Sequence, residues 1–418
     1  MYCTRKVTEG VTWIGGSDRR LALFENLFPI PRGVAYNSYL IQDEATAVID
    51  TVDSSISRQF FENIQHELGD RKLDYLIVNH MEPDHCANIA ELLLRYPDMK
   101  IVGNAKTFNM IQQFYGLDLK DQAIVVKEGD SISLGSRKLS FYFAPMVHWP
   151  EVMVAYEETE KILFSADAFG SFGALNGNIF NDELDFDKDW LDDARRYYGN
   201  IVGKYGPQVQ AALKKLSGLD IAVICPLHGP VWRNDLGYLL EKYDLWSRYE
   251  PEEKTVAILY ASMYGDTENA ANILAAKLAE AGVKNIAMHD ASSTHVSTLI
   301  GEVFRCSHLV LAAPTYNNGI YPAMLNFLHD CKALNLQNRT IGLVENGTWG
   351  PVAAKQMREI LDGLKNMNIL EPVVTLKSAL NGDSMEQLGK LADAVVSSLA
   401  EYETVRKKHI NVRDYLKT

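Results

Sequence analysis

The stretch Asn79-His80-Met81-Glu82-Pro83-Asp84-His85 decides how this chain reads, because it sets four potential metal donors within six residues. It directly follows the apolar run Leu76-Ile77-Val78, so the donors are released at a strand end. Pro83 argues against an uninterrupted helix here. On an extended or looped backbone, His80, Glu82 and Asp84 fall at spacing two and can point the same way. A cluster of this density can hold two metals side by side.

Three further donor-type residues recur in the same setting. His148 follows the strand-like run Leu139–Phe143, Asp167 follows Ile162–Phe164, and His228 follows Ile221–Cys225. A lone His or Asp after a strand is usually a satisfied hydrogen-bonding residue. Taken with the cluster, the set becomes four imidazoles and three carboxylates with no thiolate. Nitrogen with hard oxygen suits iron, manganese or zinc, and the lack of sulfur disfavours copper(I) and structural zinc. Three carboxylates against two divalent cations leave a formal charge near +1. A carboxylate at Asp167 could bridge ions at the ~3.5–4 Å spacing of binuclear sites.

On either side of this cluster, residues up to about Tyr249 read as hairpin-rich β structure mixed with helices. Ala35–Ile41 and Ala47–Asp50 are strand-like, as are Val152–Tyr156 and Ile162–Phe164, while Phe60–Leu68 and Ala90–Tyr96 read as helices. Glu250-Pro251-Glu252-Glu253-Lys254 is the best linker candidate. After it, strands at Thr255–Tyr260, Leu309–Ala313 and Thr340–Val344 alternate with helices at Glu268–Ala281, Ala323–Ala333 and Ala353–Leu364. That alternation implies a doubly wound parallel sheet. A last helix covers Met385–Lys408 and ends in a ragged tail.

Three loops of this second half fall at the carboxyl ends of its strands, where doubly wound folds bind ligands. Ser262-Met263-Tyr264-Gly265-Asp266-Thr267 combines two hydroxyls and a glycine at a helix N-terminus, a setting for a dianionic phosphate. The plainer reading is N-capping by Thr267. Pro314-Thr315-Tyr316-Asn317-Asn318-Gly319 and Asn346-Gly347-Thr348-Trp349-Gly350 follow the next two strands, with Trp349 or Tyr316 offering a stacking face.

Composition narrows the classes. At 418 residues the chain exceeds one ordinary core. A net charge of −13 argues against nucleic acid. No apolar run approaches the ~20 residues that span a bilayer, so no membrane role and a cytoplasmic location are expected. Cys3, Cys86, Cys225, Cys306 and Cys331 form no CxxC pair, which excludes a rubredoxin-type site within the chain and suggests reduced, mostly buried thiols.

The first half resembles the metallo-β-lactamase fold, whose hydrolases carry His-x-His-x-Asp-His, except that Glu82 stands where they have the second His. The second half resembles flavodoxins along its whole length, with Tyr264 where they usually carry a third Ser or Thr. His-x-Glu-x-Asp-His joined to a flavodoxin-like half is the pattern of the flavodiiron proteins. The resemblance implies an αββα sandwich over residues 1–250, a flavodoxin-like domain over 251–408 and a tail at 409–418. It implies one iron on His80, Glu82, His148 and Asp167, and a second on Asp84, His85, His228 and the shared Asp167. It further implies FMN on the three loops, reduction of oxygen or nitric oxide, an external donor such as a rubredoxin-like carrier or its reductase, and a head-to-tail homodimer. Tyr197 or Tyr198 could add a phenol beside the metals, or both could be surface packing. Two rivals remain at this point: a dizinc hydrolase fused to a flavodoxin, and a pure electron carrier with an inactive first half.

Overall fold

The computed structural model describes residues 2–119 and 121–409, with side chains up to Tyr402. The tail expected at 409–418 lies outside the described residues beyond His409. The chain forms two compact units, Met1–Tyr198 with Pro207–Leu240, and Gly199–Gly206 with Glu241–Thr418.

In the first unit, period-two patterning builds two sheets around one core. One sheet has seven strands, from Arg5–Lys6 at one edge to Ala123–Val125 at the other. It is antiparallel through Tyr39–Gln42 and Thr46–Ile49, then parallel through Tyr75–Ile77 and Lys100–Gly103. The other sheet has five strands, Ser131–Ser133, Lys138–Phe143, Met153–Glu157, Ile162–Phe164 and Val223–Cys225, and only its last pairing is parallel. Alternate residues of both sheets meet in the shared core: Tyr39 and Ile41, Ala47 and Ile49, Leu139 and Phe141, Met153 and Ala155, Ile162 and Phe164. Helices Ser57–Leu68 and Ala105–Tyr115 are amphipathic, as sandwich-covering helices must be. The parallel pairs Ile49↔Ile77 and Phe164↔Cys225 end level, so the segments carrying His80, Asp167 and His228 all leave from strand carboxyl ends.

The run expected as one strand from Ala35 to Ile41 is two, Val34–Tyr36 and Tyr39–Gln42, in different sheets. Buried Asn37 lies between them and bonds the carbonyls of Pro226 and Gly229, which turns the chain.

The second unit holds a seven-stranded sheet whose main path is parallel, in the order Ala287–Asp290, Glu253–Tyr260, Cys306–Tyr316, Arg339–Asn346, Met367–Ile369, with Gly319–Ile320 paired antiparallel to Cys306–Tyr316 and Val374–Leu376 parallel to Arg339–Asn346. This is the 2-1-3-4-5 order of a doubly wound fold. Val256, Ile258, Val310, Ala312 and Val344 face helices Asp266–Glu280 and Gly382–His409 through Leu274, Leu278, Leu388, Leu391 and Val395. The sequence reading missed the edge strand Ala287–Asp290, half-buried throughout, and the helix Val296–Arg305.

Candidate functional site

Where Tyr75–Ile77 ends, Asp50 Oδ1 accepts the amides of Asn79 (2.7 Å) and His80 (3.1 Å) and directs the next segment out of the sheet. The backbone is extended at Glu82 and then enters a one-turn helix, Pro83–Cys86. Proline is well placed at that first helical position, where its missing N–H would have no intrahelical partner. Spacing two therefore holds only from His80 to Glu82. Asp84 and His85 are aimed by the helical turn instead, and Thr51 fastens that turn by donating its amide and hydroxyl to the His85 carbonyl (2.8 Å each).

The seven candidate donors converge as two groups, His80–Glu82–His148–Asp167 and Asp84–His85–His228. In the first, Glu82 Oε2 lies 3.3 Å from His80 Nε2 and 3.0 Å from His148 Nε2. Asp167 Oδ2 lies 3.0 Å from His148 Nε2 and 3.5 Å from His80 Nε2. In the second, Asp84 Oδ2 lies 3.4 Å from His85 Nε2 and 3.3 Å from His228 Nε2. Asp167 Oδ1 faces that group, 3.0 Å from His85 Nε2 and 3.6 Å from His228 Nε2. One fully buried carboxylate thus turns one oxygen to each group.

These separations suit two cations. Donors bonded at ~2.0–2.2 Å to one ion lie about 3.0–3.5 Å apart. The Nε2 atoms of His85 and His228 face each other at 3.0 Å. Both oxygens of Asp84 and Oδ1 of Asp167 are buried without a hydrogen-bond partner among the described residues, a cost that a cation removes. The tautomers agree: His80 Nδ1 donates to Glu151 Oε1 (2.8 Å) and His228 Nδ1 to the Ala35 carbonyl (2.8 Å), leaving each Nε2 lone pair toward the site.

Without metal, the charges answer one another. Burial opposes a charge on His85, but the Asp84 and Asp167 carboxylates outweigh it and push the imidazole up to about 9. Burial likewise opposes charge on His148, and hydrogen bonds to Asp167 and Glu82 raise it to about 9. Burial would raise Asp167, yet His85 and His148 hold it well below the carboxylate range.

Sequence reasoning missed Asp50 and Glu151. Asp50 directly follows the strand Thr46–Ile49 and Glu151 lies in the turn before Met153–Glu157; neither has a pattern of its own, and only the fold reveals its neighbours. Glu25 was missed as well. It comes from the hairpin Leu23–Phe24/Phe28–Pro29, and desolvation and a shared hydrogen bond with Glu82 push its carboxyl up to about 8. Tyr197 and Tyr198 are fully buried, which removes the surface-packing reading. The Tyr197 ring lies 5.5 Å from the His228 ring and 5.2 Å from Phe172.

In the second unit, Gly265 takes a left-handed φ of 98° ahead of the helix Asp266–Glu280, and its amide donates to Ser262 Oγ (3.0 Å). Thr267 lies inside the helix and does not cap it, so the first-turn amides have no side-chain cap. The second loop differs from the expectation: the strand runs on to Tyr316 and turns through Asn317 and Asn318, both left-handed, into Gly319–Ile320. Thr315 Oγ1 accepts the amides of Val352 and Ala353, so it serves the next helix. In the third loop, Asn346 Nδ2 reaches Thr267 Oγ1 (3.4 Å) and Ser378 O (3.0 Å), and Thr348 pairs with Ser378 Oγ (2.8 Å). Ser378, after the short strand Val374–Leu376, makes a fourth segment that the sequence reading missed. Tyr264 and Trp349 stand 95% and 93% exposed, rings free to cover a planar ligand.

Two family models match the chain: ODP family beta lactamase over residues 34–229, and flavodoxin over residues 258–387. A nitric oxide reductase of Moorella thermoacetica is 31% identical across 94% of this chain and 98% of its own length. Among solved structures, rubredoxin oxygen:oxidoreductase from Desulfovibrio gigas aligns with a TM-score of 0.89 at 29% identity, covering 96% of this chain and 99% of that one. The flavodiiron protein from Giardia intestinalis aligns with a TM-score of 0.86 at 26% identity, covering 95% and 98%. The first two are named as a reductase and an oxidoreductase and the third as a flavodiiron protein, so neither the hydrolase nor the electron-carrier reading is supported.

Proposed function

Because the chain belongs to the flavodiiron proteins, a family of oxidoreductases with FMN and a diiron centre, we propose that it reduces dioxygen to water, nitric oxide to nitrous oxide, or both. The observation that carries this reading is the pair of donor groups that share Asp167. Water formation takes four electrons and four protons per dioxygen; nitrous oxide formation takes two of each per two nitric oxides and releases one water. When bound, the irons supply coordination sites and electrons for the diatomic, and FMN supplies single electrons from a two-electron store.

The chain's own residues set the conditions. His80, Glu82 and His148 would hold one ion and Asp84, His85 and His228 the other, each side with one oxygen of Asp167. Glu151 and the Ala35 carbonyl fix the tautomers of His80 and His228. Tyr197 with Phe24 and Phe172 forms a wall against His228 that limits water. Ser262, Thr267 and the uncapped amides would receive the FMN phosphate, and the exposed rings of Trp349 and Tyr264 would be available to stack on the flavin. Residues 1–250 and 251–408 are assigned to these two tasks.

The donor in this reading is a carrier of the rubredoxin type, as the name rubredoxin oxygen:oxidoreductase of one relative suggests. No described helix is long and apolar enough to cross a membrane, and a cytoplasmic place is proposed. Electron transfer decays steeply with distance, so we assign function to a head-to-tail homodimer in which the flavin of one chain serves the metals of the other.

Two measurements test the reading. Purified protein should hold iron and FMN and, reduced anaerobically, consume added oxygen or nitric oxide; bound zinc, or no turnover with either gas, refutes it. A mixed dimer should then regain activity when one chain carries His80→Ala with His148→Ala and the other is altered at Thr267 and Trp349. Inactivity as complete as in either parent rules out transfer between chains.

A further inference from the structure

The metal centre keeps a symmetry in its inner donors and breaks it just behind them. Each side offers two imidazole Nε2 atoms, one carboxylate of its own and one oxygen of Asp167. Donor for donor the sides are chemically equal, so any inequality must come from the atoms behind the ligands.

Behind His80 lies an anion. Glu151 is 0% exposed, and its Oε1 accepts both His80 Nδ1–H and the Met81 amide at 2.8 Å. Its own backbone is held as well, because Asn104 Nδ2 donates to the Glu151 carbonyl (2.5 Å) while Asn104 Oδ1 caps the helix Ala105–Tyr115. Glu151 Oε2 has no hydrogen-bond partner among the described residues, so no neighbour shares its charge there. On the other side, His228 Nδ1 meets the neutral Ala35 carbonyl, and His85 Nδ1 has no hydrogen-bond partner among the described residues; the buried Asp50 carboxylate interacts with both His85 and His80 but hydrogen-bonds neither ring.

We propose that Glu151 is a positioning residue that makes the two metal subsites unequal, so that the subsite of His80, Glu82 and His148 holds its iron more tightly than that of Asp84, His85 and His228. The proposal rests on the reading that these residues are the ligands. A carboxylate that accepts the distal N–H of an imidazole draws that proton toward itself, which makes the opposite nitrogen a stronger donor and fixes the ring plane. In a dry site the added negative charge also attracts the cation with little screening.

The test uses full-length, iron-loaded protein equilibrated with rising EDTA, with retained iron measured by elemental analysis. The native chain should release iron in two steps. In a His228→Ala background, where the His80 side is the intact one, adding Glu151→Gln should let iron go at about 10–100-fold less EDTA. In a His148→Ala background the same change should leave the release point where it was. Glu151→Asp, which keeps the charge, should lessen the loss. Weakening in both backgrounds alike, no weakening in either, or a loss that Asp does not lessen overturns the proposal. If His148→Ala and His228→Ala each retain a full complement of iron, the ligand reading falls first and the proposal with it, a result easily told from the others.

Discussion

Around Asp167 every donor is buried and already aimed, whereas around Thr267 the groups that would meet a flavin divide into a buried floor and an exposed rim. Asp167, His85 and His228 are essentially out of solvent, and Thr267 is too, yet Tyr264 and Trp349 are almost wholly exposed. The difference comes from what each ligand brings. A small cation makes no apolar contact of its own, so the protein must hold all its donors in place against mutual repulsion and desolvation. A flavin brings a wide planar surface, and rings at the rim can close over it. One site has its donors buried and converging within the fold, and the other keeps exposed aromatic rings for the ligand.

Removing the shared carboxylate breaks this comparison most sharply. Asp167→Ala should strip iron from both groups, and turnover should fall by more than the ~10–100-fold that loss of an outer partner costs. Metal analysis beside a gas-consumption assay decides it, and full iron with unchanged turnover refutes the bridging role. His148→Ala and His228→Ala should each remove about one of two irons, with FMN content unchanged, because only one side loses an imidazole.

A third effect comes from protons. His85 and His148 sit at about 9 in the metal-free protein, above their ordinary value, so both rings carry a proton at neutral pH. Metal must displace those protons, which sets the sign. Affinity rises with pH up to about 9 and falls below it, by about a decade per displaced proton for each pH unit. Metal titrations in buffers of different ionisation enthalpy should show proton release, and a pH-independent affinity between about 6 and 8 contradicts it.

The flavin side should be more forgiving. Trp349→Ala is expected to weaken FMN retention by ~1–3 kcal/mol through lost stacking, read as flavin lost on dialysis, with iron content unchanged. Ser378→Ala removes one hydroxyl pairing with Thr348 and should cost less, about 0.5–1.5 kcal/mol.

The same contrast explains which features could be read from sequence. Strand-end donors such as His80, Asp167 and His228 were legible because an apolar run stops and a polar ligand type comes next, and the parallel sheet was legible from its alternation of strand and helix. Ala287–Asp290 escaped because an edge strand half in water has no apolar run. Asp50 and Glu151 escaped because their meaning lies in backbone amides and an imidazole more than 25 residues away in the chain. Ser378 escaped behind a three-residue strand. Thr315 Oγ1 also accepts two backbone amides, bonds visible only once the next helix is placed.

The one-turn helix Pro83–Cys86 sets a limit on how this segment can change in length. Each added helical residue rotates the downstream chain by about 100°. A single insertion between Pro83 and Asp84 would swing Asp84 and His85 off their bearing, while His80 and Glu82, upstream, would keep theirs. The segment works as a keyed part: exchanging one side chain touches one contact, whereas a slip of its reading frame in space by a single position separates the two halves of the centre.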